Sequence, residues 1–146
     1  MKLTLAPAAA PLSRVKDADR SPVRVALVQT RWHESPDEHL AKLNEGIELA
    51  ASAGASIVFL PELTLSRYPA DAKPTTVPNY SAESLEDGAT RTFAAKAAAE
   101  HGVIVHASLY EYKSTADGRA LNSAIMGHPN GTLLARTPKR HIPVTV

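Results

Sequence analysis

The sequence contains no cysteine among its 146 residues. This excludes disulfide bonds, thiolate metal sites and thiol catalysis within the chain, and it is compatible with a cytoplasmic location. No apolar run approaches the roughly 20 residues that span a bilayer. Pro7 and Pro11 interrupt the apolar start of the chain, so we expect no signal peptide and no membrane segment. A net charge of +1 gives no general argument for a nucleic-acid partner.

The composition is that of an ordinary globular protein, with 44% apolar and 21% charged residues. The length suits one domain with a real core. Residues 1–22 are rich in alanine, proline and charge, and we expect a disordered arm there. Residues 23–146 are the candidate domain.

The first half of this domain predicts a strand, a helix and a second strand. Residues 23–30 form an apolar, β-branched run, which indicates a strand buried on both faces, and residues 56–60 predict a second buried strand. Between them, Ser35 is placed to cap a helix, Pro36 fits its first turn and Glu38 completes a capping box. Leu40, Leu43, Ile47 and Ala50 repeat at helical spacing as far as Gly54. This order predicts a right-handed βαβ unit.

The second half predicts one helix and three strands. A long proline-containing loop is expected at residues 65–88, then an alanine-rich helix at 90–101 that ends at Gly102. Strands are predicted at 103–110, 121–126 and 132–136, with turns at Asp117-Gly118 and 129–131, and residues 137–146 form an irregular tail. The order β-α-β-α-β-β-β predicts an α/β fold with one mixed sheet.

Two polar residues directly follow predicted strands. Glu62 stands behind Pro61, where a partly desolvated carboxylate would have a raised pKa and could act as a general base. Lys139 lies between Pro138 and Pro143, where an ammonium could stabilise an oxyanion. From position alone, a loop salt bridge or helix cap at Glu62 and a solvated basic tail at Lys139 explain the same residues.

Other common kinds of site are missing from the sequence. The six histidines show no metal-binding spacing, and His106, inside a strand, is expected to be a satisfied buried or half-buried side chain. There is no glycine-rich nucleotide-binding loop and no Gly-x-Ser-x-Gly motif.

The runs VRVALVQT at 23–30, FLPEL at 59–63 and PKRHIP at 138–143 together resemble the nitrilase superfamily of carbon–nitrogen hydrolases in order and spacing. The K-x-H-I-P motif is most similar to that of N-carbamoylputrescine amidases and β-ureidopropionases. Thr137, Pro138 and Arg67 depart from residues that are common in the family. The resemblance implies the N-terminal half of an α-β-β-α sandwich, with helices on one face of the sheet.

The same resemblance implies a Glu-Lys-Cys triad in which Glu62 is the general base and Lys139 stabilises the tetrahedral intermediate. The family's nucleophilic cysteine and a further glutamate lie downstream of the lysine, and the chain contains neither. We therefore expect a truncated carbon–nitrogen hydrolase that is inactive alone. When complete, it would act on a small linear amide or N-carbamoyl amine without a metal or organic cofactor, as a homo-oligomer that binds neither nucleic acid nor membrane.

Two other hypotheses remain open at the level of the sequence. The chain could be a non-catalytic interaction module that pairs with a full-length relative through an open sheet face. It could also be an unrelated α/β small-molecule binder, although that reading does not explain the joint placement of Glu62 and Lys139.

Overall fold

The computed structural model describes residues 1–7, 21–67, 82–112 and 120–140. These residues form a five-stranded mixed sheet and two helices, in the predicted order β-α-β-α-β-β-β. The elements are β1 (Val25–Leu27), α1 (Pro36–Ser52), β2 (Ile57–Phe59), α2 (Ala89–His101), β3 (Ile104–Glu111), β4 (Leu121–Gly127) and β5 (Leu133–Pro138).

The strands lie side by side in chain order. β1 is parallel to β2 and β2 is parallel to β3, whereas β4 and β5 are antiparallel to their neighbours. The predicted alternation of strand and helix therefore gives the parallel half of the sheet, and the closing hairpins give the antiparallel half. This confirms the predicted mixed sheet.

Helix α1 begins and ends where the sequence predicts. The Ser35 side chain accepts a hydrogen bond from the backbone N–H of Glu38 at 3.3 Å. The predicted capping box is only half formed, because the Glu38 carboxylate lies 2.8 Å from Nδ1 of His33 and does not bind the Ser35 N–H. Gly54 follows the helix with φ +81°, a left-handed conformation that glycine adopts without steric cost. Helix α2 ends in the same way at Gly102, with φ +66°.

Both helices pack on the same face of the sheet, as predicted. Their buried side chains and those of alternate strand residues form one cluster, whose fully buried members include Leu43, Ile47, Val58, Ala94, Val105, Leu109 and Ile125. The small residues of α2 allow a close approach, because a Cβ added at Gly127 would lie 3.5 Å from the backbone of Ala94.

The N-terminal residues 1–7 include a contact with α1. The Met1 amine forms an ion pair with Glu45, whose carboxylate also accepts a hydrogen bond from Lys42 at 2.8 Å. The bond from Lys42, followed by the bond from the amine, lowers the pKa of Glu45 to about 2.

The expected burial of the first strand on both faces is wrong. Val25 and Leu27 are 54% and 80% exposed. Their strand lies at the edge of the sheet, and these two side chains are not part of the cluster under the helices. Within the described ranges, no second layer covers the opposite face. An apolar run in a sequence does not distinguish one covered face from two.

The predicted irregular tail begins two residues too early, because β5 extends to Pro138. Four other predictions lie wholly or partly outside the described residues: the Asp117-Gly118 turn, residues 8–20 of the arm, residues 68–81 of the long loop and residues 141–146 of the tail. In the part of the chain that the structure describes, no helix is long and apolar enough to cross a membrane.

Candidate active site

The sheet topology brings four chain segments to one edge of the sheet, the edge at which the carboxyl ends of β2 and β3 lie. Parallel strands β2 and β3 end at the same edge. Because β4 runs antiparallel to β3 and β5 antiparallel to β4, that edge also holds the start of β4 and the end of β5. Glu62 follows β2, Asn122 lies in the second position of β4 and Lys139 directly follows β5. Residues far apart in the chain therefore meet in space.

The carboxylate of Glu62 is the centre of this cluster. Its Oε1 accepts hydrogen bonds from Nζ of Lys139 at 2.9 Å and from Nδ2 of Asn122 at 2.7 Å. The side chains of Glu62 and Lys139 are 42% and 40% exposed, so the ion pair is open to solvent in this structure. The two residues predicted from the sequence therefore touch each other, while their catalytic roles stay predictions.

The pKa of Glu62 is lowered, which corrects the raised pKa expected from the sequence. The hydrogen bond from Lys139 is the largest cause, and the bond from Asn122 acts in the same direction. Partial burial raises the pKa but is outweighed by these donors. The carboxylate is therefore ionised at neutral pH, so it can accept a proton, and the neighbouring ammonium can stabilise a negatively charged oxygen.

The turn that carries Glu62 is fastened to β3. The next residue, Leu63, has φ 51°, a left-handed conformation that costs a non-glycine residue about 1 kcal/mol or more. The backbone N–H of Leu63 donates to Oγ of Ser108 at 3.1 Å, and the N–H of Thr64 donates to the Ser108 carbonyl at 2.8 Å. Oγ1 of Thr64 accepts from the N–H of Ser108 at 2.9 Å. These reciprocal bonds hold the unfavourable conformation in place.

A buried histidine supports the same turn from α1. Nε2 of His39 lies 2.9 Å from the carbonyl oxygen of Thr64, so this nitrogen donates. The His39 ring also packs against Trp32, with ring centroids 4.4 Å apart. The helix therefore contributes to the position of the turn that carries Glu62.

His106 is half-buried, as predicted, but its ring is not fully satisfied. Its Nδ1 is buried without a hydrogen-bond partner, and its ring centroid lies 4.9 Å from that of Phe59. Burial lowers the pKa of His106, which favours the neutral ring. Among the described side chains, no cluster of histidine, aspartate and glutamate could hold a metal ion.

Sequence reasoning missed Asn122 and Ser108. Oγ of Ser108 lies 3.3 Å from Oδ1 of Asn122, and the backbone N–H of Lys139 donates to the Asn122 carbonyl at 2.7 Å. Asn122 is 60 positions from Glu62 in the sequence, and a single asparagine in a strand carries no spacing signal. The only available hint was its position at the start of a strand that begins at the edge where β3 ends.

Comparison with known proteins gives a family match over most of the chain. The family described as carbon-nitrogen hydrolase matches residues 24–146. Among solved structures, the chain is 28% identical to a CN-hydrolase superfamily protein from Xanthomonas campestris with an arsenic adduct in its active site. That alignment has a TM-score of 0.55 and covers 77% of this chain and 37% of the other.

Two more distant structures share the fold. A carbon-nitrogen hydrolase from Helicobacter pylori is 23% identical, with a TM-score of 0.63, over 81% of this chain and 40% of its own. An N-terminal amidase is 15% identical, with a TM-score of 0.65, over 82% of this chain and 28% of its own. The chain thus spans less than half the length of each of these proteins.

Proposed function

The chain belongs to the carbon–nitrogen hydrolase family, and we propose that the whole protein hydrolyses a non-peptide C–N bond in a small linear amide or N-carbamoyl amine. The proposed preference for N-carbamoyl amine substrates rests on the motif PKRHIP around Lys139, which resembles that of N-carbamoyl amine hydrolases. The whole protein would need no metal or organic cofactor and would act as a homo-oligomer.

One observation supports this proposal above the others. The carboxylate of Glu62 and the ammonium of Lys139, which lie 77 positions apart in the chain, meet at 2.9 Å at the end of the sheet. Ligand sites in open α/β sheets gather outside the carboxyl ends of strands. A base and a cation in contact at such a position are suited to acyl transfer.

In the proposed reaction, Glu62 takes the proton of a thiol, and the thiolate attacks the amide or carbamoyl carbon. Lys139 stabilises the oxyanion that forms on the carbonyl oxygen. Glu62 gives this proton to the nitrogen as the C–N bond breaks. Water then loses a proton to Glu62, cleaves the resulting thioester and restores the thiol. The 146 residues contain no cysteine, so the thiol must come from an in-frame continuation of the gene or from a second chain.

The test is ammonia release from a panel of linear amides and N-carbamoyl amines. We expect no turnover from the 146-residue chain alone. Turnover should appear when a cysteine-bearing segment is supplied, as the in-frame continuation or as a second chain. Glu62→Gln should then lower turnover about 100-fold or more, because general acid–base catalysis typically contributes that much.

The matched control is Glu86→Gln, which neutralises an exposed carboxylate in the turn before α2 and should keep full turnover. Turnover by the chain alone, or full turnover in Glu62→Gln, would contradict the proposal. The alternative, a non-catalytic interaction module, is favoured by the missing cysteine. It would be supported if no supplied segment gave turnover while the chain still bound a full-length relative.

A further inference from the structure

The hydrogen bonds around Glu62 form a ring that begins and ends on adjacent residues. The backbone N–H of Leu63 donates to Oγ of Ser108, and that hydroxyl lies 3.3 Å from Oδ1 of Asn122. Nδ2 of Asn122 then donates to Oε1 of Glu62, the residue that precedes Leu63. The ring therefore joins the turn after β2 to β3 and β4.

The chemistry of each group fixes the direction of every bond in this ring. A backbone N–H can only donate, so Ser108 accepts from Leu63 and its own hydrogen is available for Asn122. Oδ1 of Asn122 accepts that hydrogen, and its amide nitrogen consequently faces Glu62. The opposite orientation of the amide would place its oxygen against the carboxylate, where neither group could donate.

Asn122 also holds the other member of the pair. Its carbonyl oxygen accepts from the backbone N–H of Lys139 at 2.7 Å, and this bond continues the pairing of β4 with β5. A single residue thus contacts the side chain of Glu62 and the main chain of Lys139. The exposed ends of both long side chains could otherwise sample many rotamers in solvent.

We propose that Asn122 and Ser108 are positioning residues. They hold the carboxylate of Glu62 beside the ammonium of Lys139, where the carboxylate would accept the proton of the thiol. Neither residue is required to touch the substrate. The inference rests on the proposed function for its consequence in catalysis, but the positioning itself can be measured on the chain without any turnover.

The strand offers a matched control beside Asn122. Ser123 is the next residue, is fully buried and donates to the carboxylate of Glu111 on the helix-covered face of the sheet. Substitutions at 122 and 123 therefore disturb the same strand on opposite faces. Asn122→Leu removes the amide with little change in size, Ser108→Ala removes the relay, and Ser108→Thr keeps a hydroxyl.

The first readout is the titration of the Glu62 side-chain carboxyl by ¹³C NMR in the full 146-residue chain. We expect Asn122→Leu to raise the pKa of Glu62, Ser108→Ala to raise it less, and both Ser108→Thr and Ser123→Ala to leave it unchanged. A pKa of Glu62 that is the same in Asn122→Leu as in the unsubstituted chain would overturn the proposal. So would an equal change in Ser123→Ala, because that result indicates only general loosening of β4.

The second readout is turnover in the presence of the cysteine-bearing segment. Asn122→Leu should lower kcat about 10- to 100-fold with little change in KM, since small misplacements of catalytic groups have effects of that size. Ser108→Thr should restore most of the kcat that Ser108→Ala loses. An unchanged kcat in Asn122→Leu would overturn the positioning role, whereas a shifted pKa of Glu62 without turnover in any preparation would count against the proposed function alone.

Discussion

The central feature at the scale of single residues is an ion pair whose two members are each about two-fifths exposed. Solvent screening limits such pairs to about 0.2 to 1 kcal/mol of stability. The contact between Glu62 and Lys139 therefore contributes little to folding, and its main effect is on the protonation state of the carboxylate.

The pH dependence of this pair follows from the direction of the shift. The pKa of Glu62 in the folded chain lies below its ordinary value of 4.5. The pair therefore stabilises the fold fully above about pH 4.5, and this contribution is lost as the pH falls through the lower folded-state pKa. At neutral pH the carboxylate carries no proton, and its lowered pKa makes it a weaker base than an ordinary glutamate.

Their positions after predicted strands made Glu62 and Lys139 candidates, and the resemblance of the surrounding motifs to the nitrilase superfamily singled them out. The sequence could not give the direction of the pKa shift, which depends on a donor 77 positions away. It also could not reveal Asn122, whose partners are separated from it in sequence and become neighbours only when β4 pairs with β3 and β5.

At the scale of elements, α1 shows how completely local chemistry can define a helix. Its cap, its first-turn proline and its final glycine are all readable in the sequence, and the structure has them in place. Its buried face, which includes His39, Leu43, Ile47 and Ala50, follows the helical period. The exposure of β1 could not be predicted, because a three-residue edge strand can have the same apolar residues as a central strand.

The N-cap of α1 gives a direct test of this account. Ser35→Ala removes the acceptor for the N–H of Glu38 and should lower the free energy of unfolding by about 1 kcal/mol. Urea denaturation measures the change. The control Ser52→Ala alters an exposed serine in the last turn of the same helix and should be neutral or slightly stabilising. Equal losses in the two variants would show that the cap has no special effect.

At the scale of the whole molecule, the two faces of the sheet differ in cover. Helices α1 and α2 bury one face, whereas Val25 and Leu27 are exposed on β1. The catalytic candidates lie at one edge of this sheet. The fold therefore separates the part of the chain that provides stability from the part that carries the polar site.

Two leucines test this division. Leu43 lies on the buried face of α1, and Leu43→Ala should lower the free energy of unfolding by about 2 to 5 kcal/mol through lost burial and a cavity. Leu27 is 80% exposed, and Leu27→Ala should change the free energy of unfolding by about 0.5 kcal/mol or less. Urea denaturation of both variants at low protein concentration measures the difference. A large decrease in the free energy of unfolding of Leu27→Ala would mean that this side chain is covered in solution.

The contact between Glu62 and Lys139 is tested most directly by a ¹³C NMR titration of the Glu62 carboxyl in the unsubstituted chain and in Lys139→Met. We expect a pKa below the ordinary value of 4.5 in the unsubstituted chain and a higher pKa in Lys139→Met, because the largest cause of the shift has been removed. If Glu62 titrates at the same pH in both proteins, the ion pair with Lys139 does not form in solution.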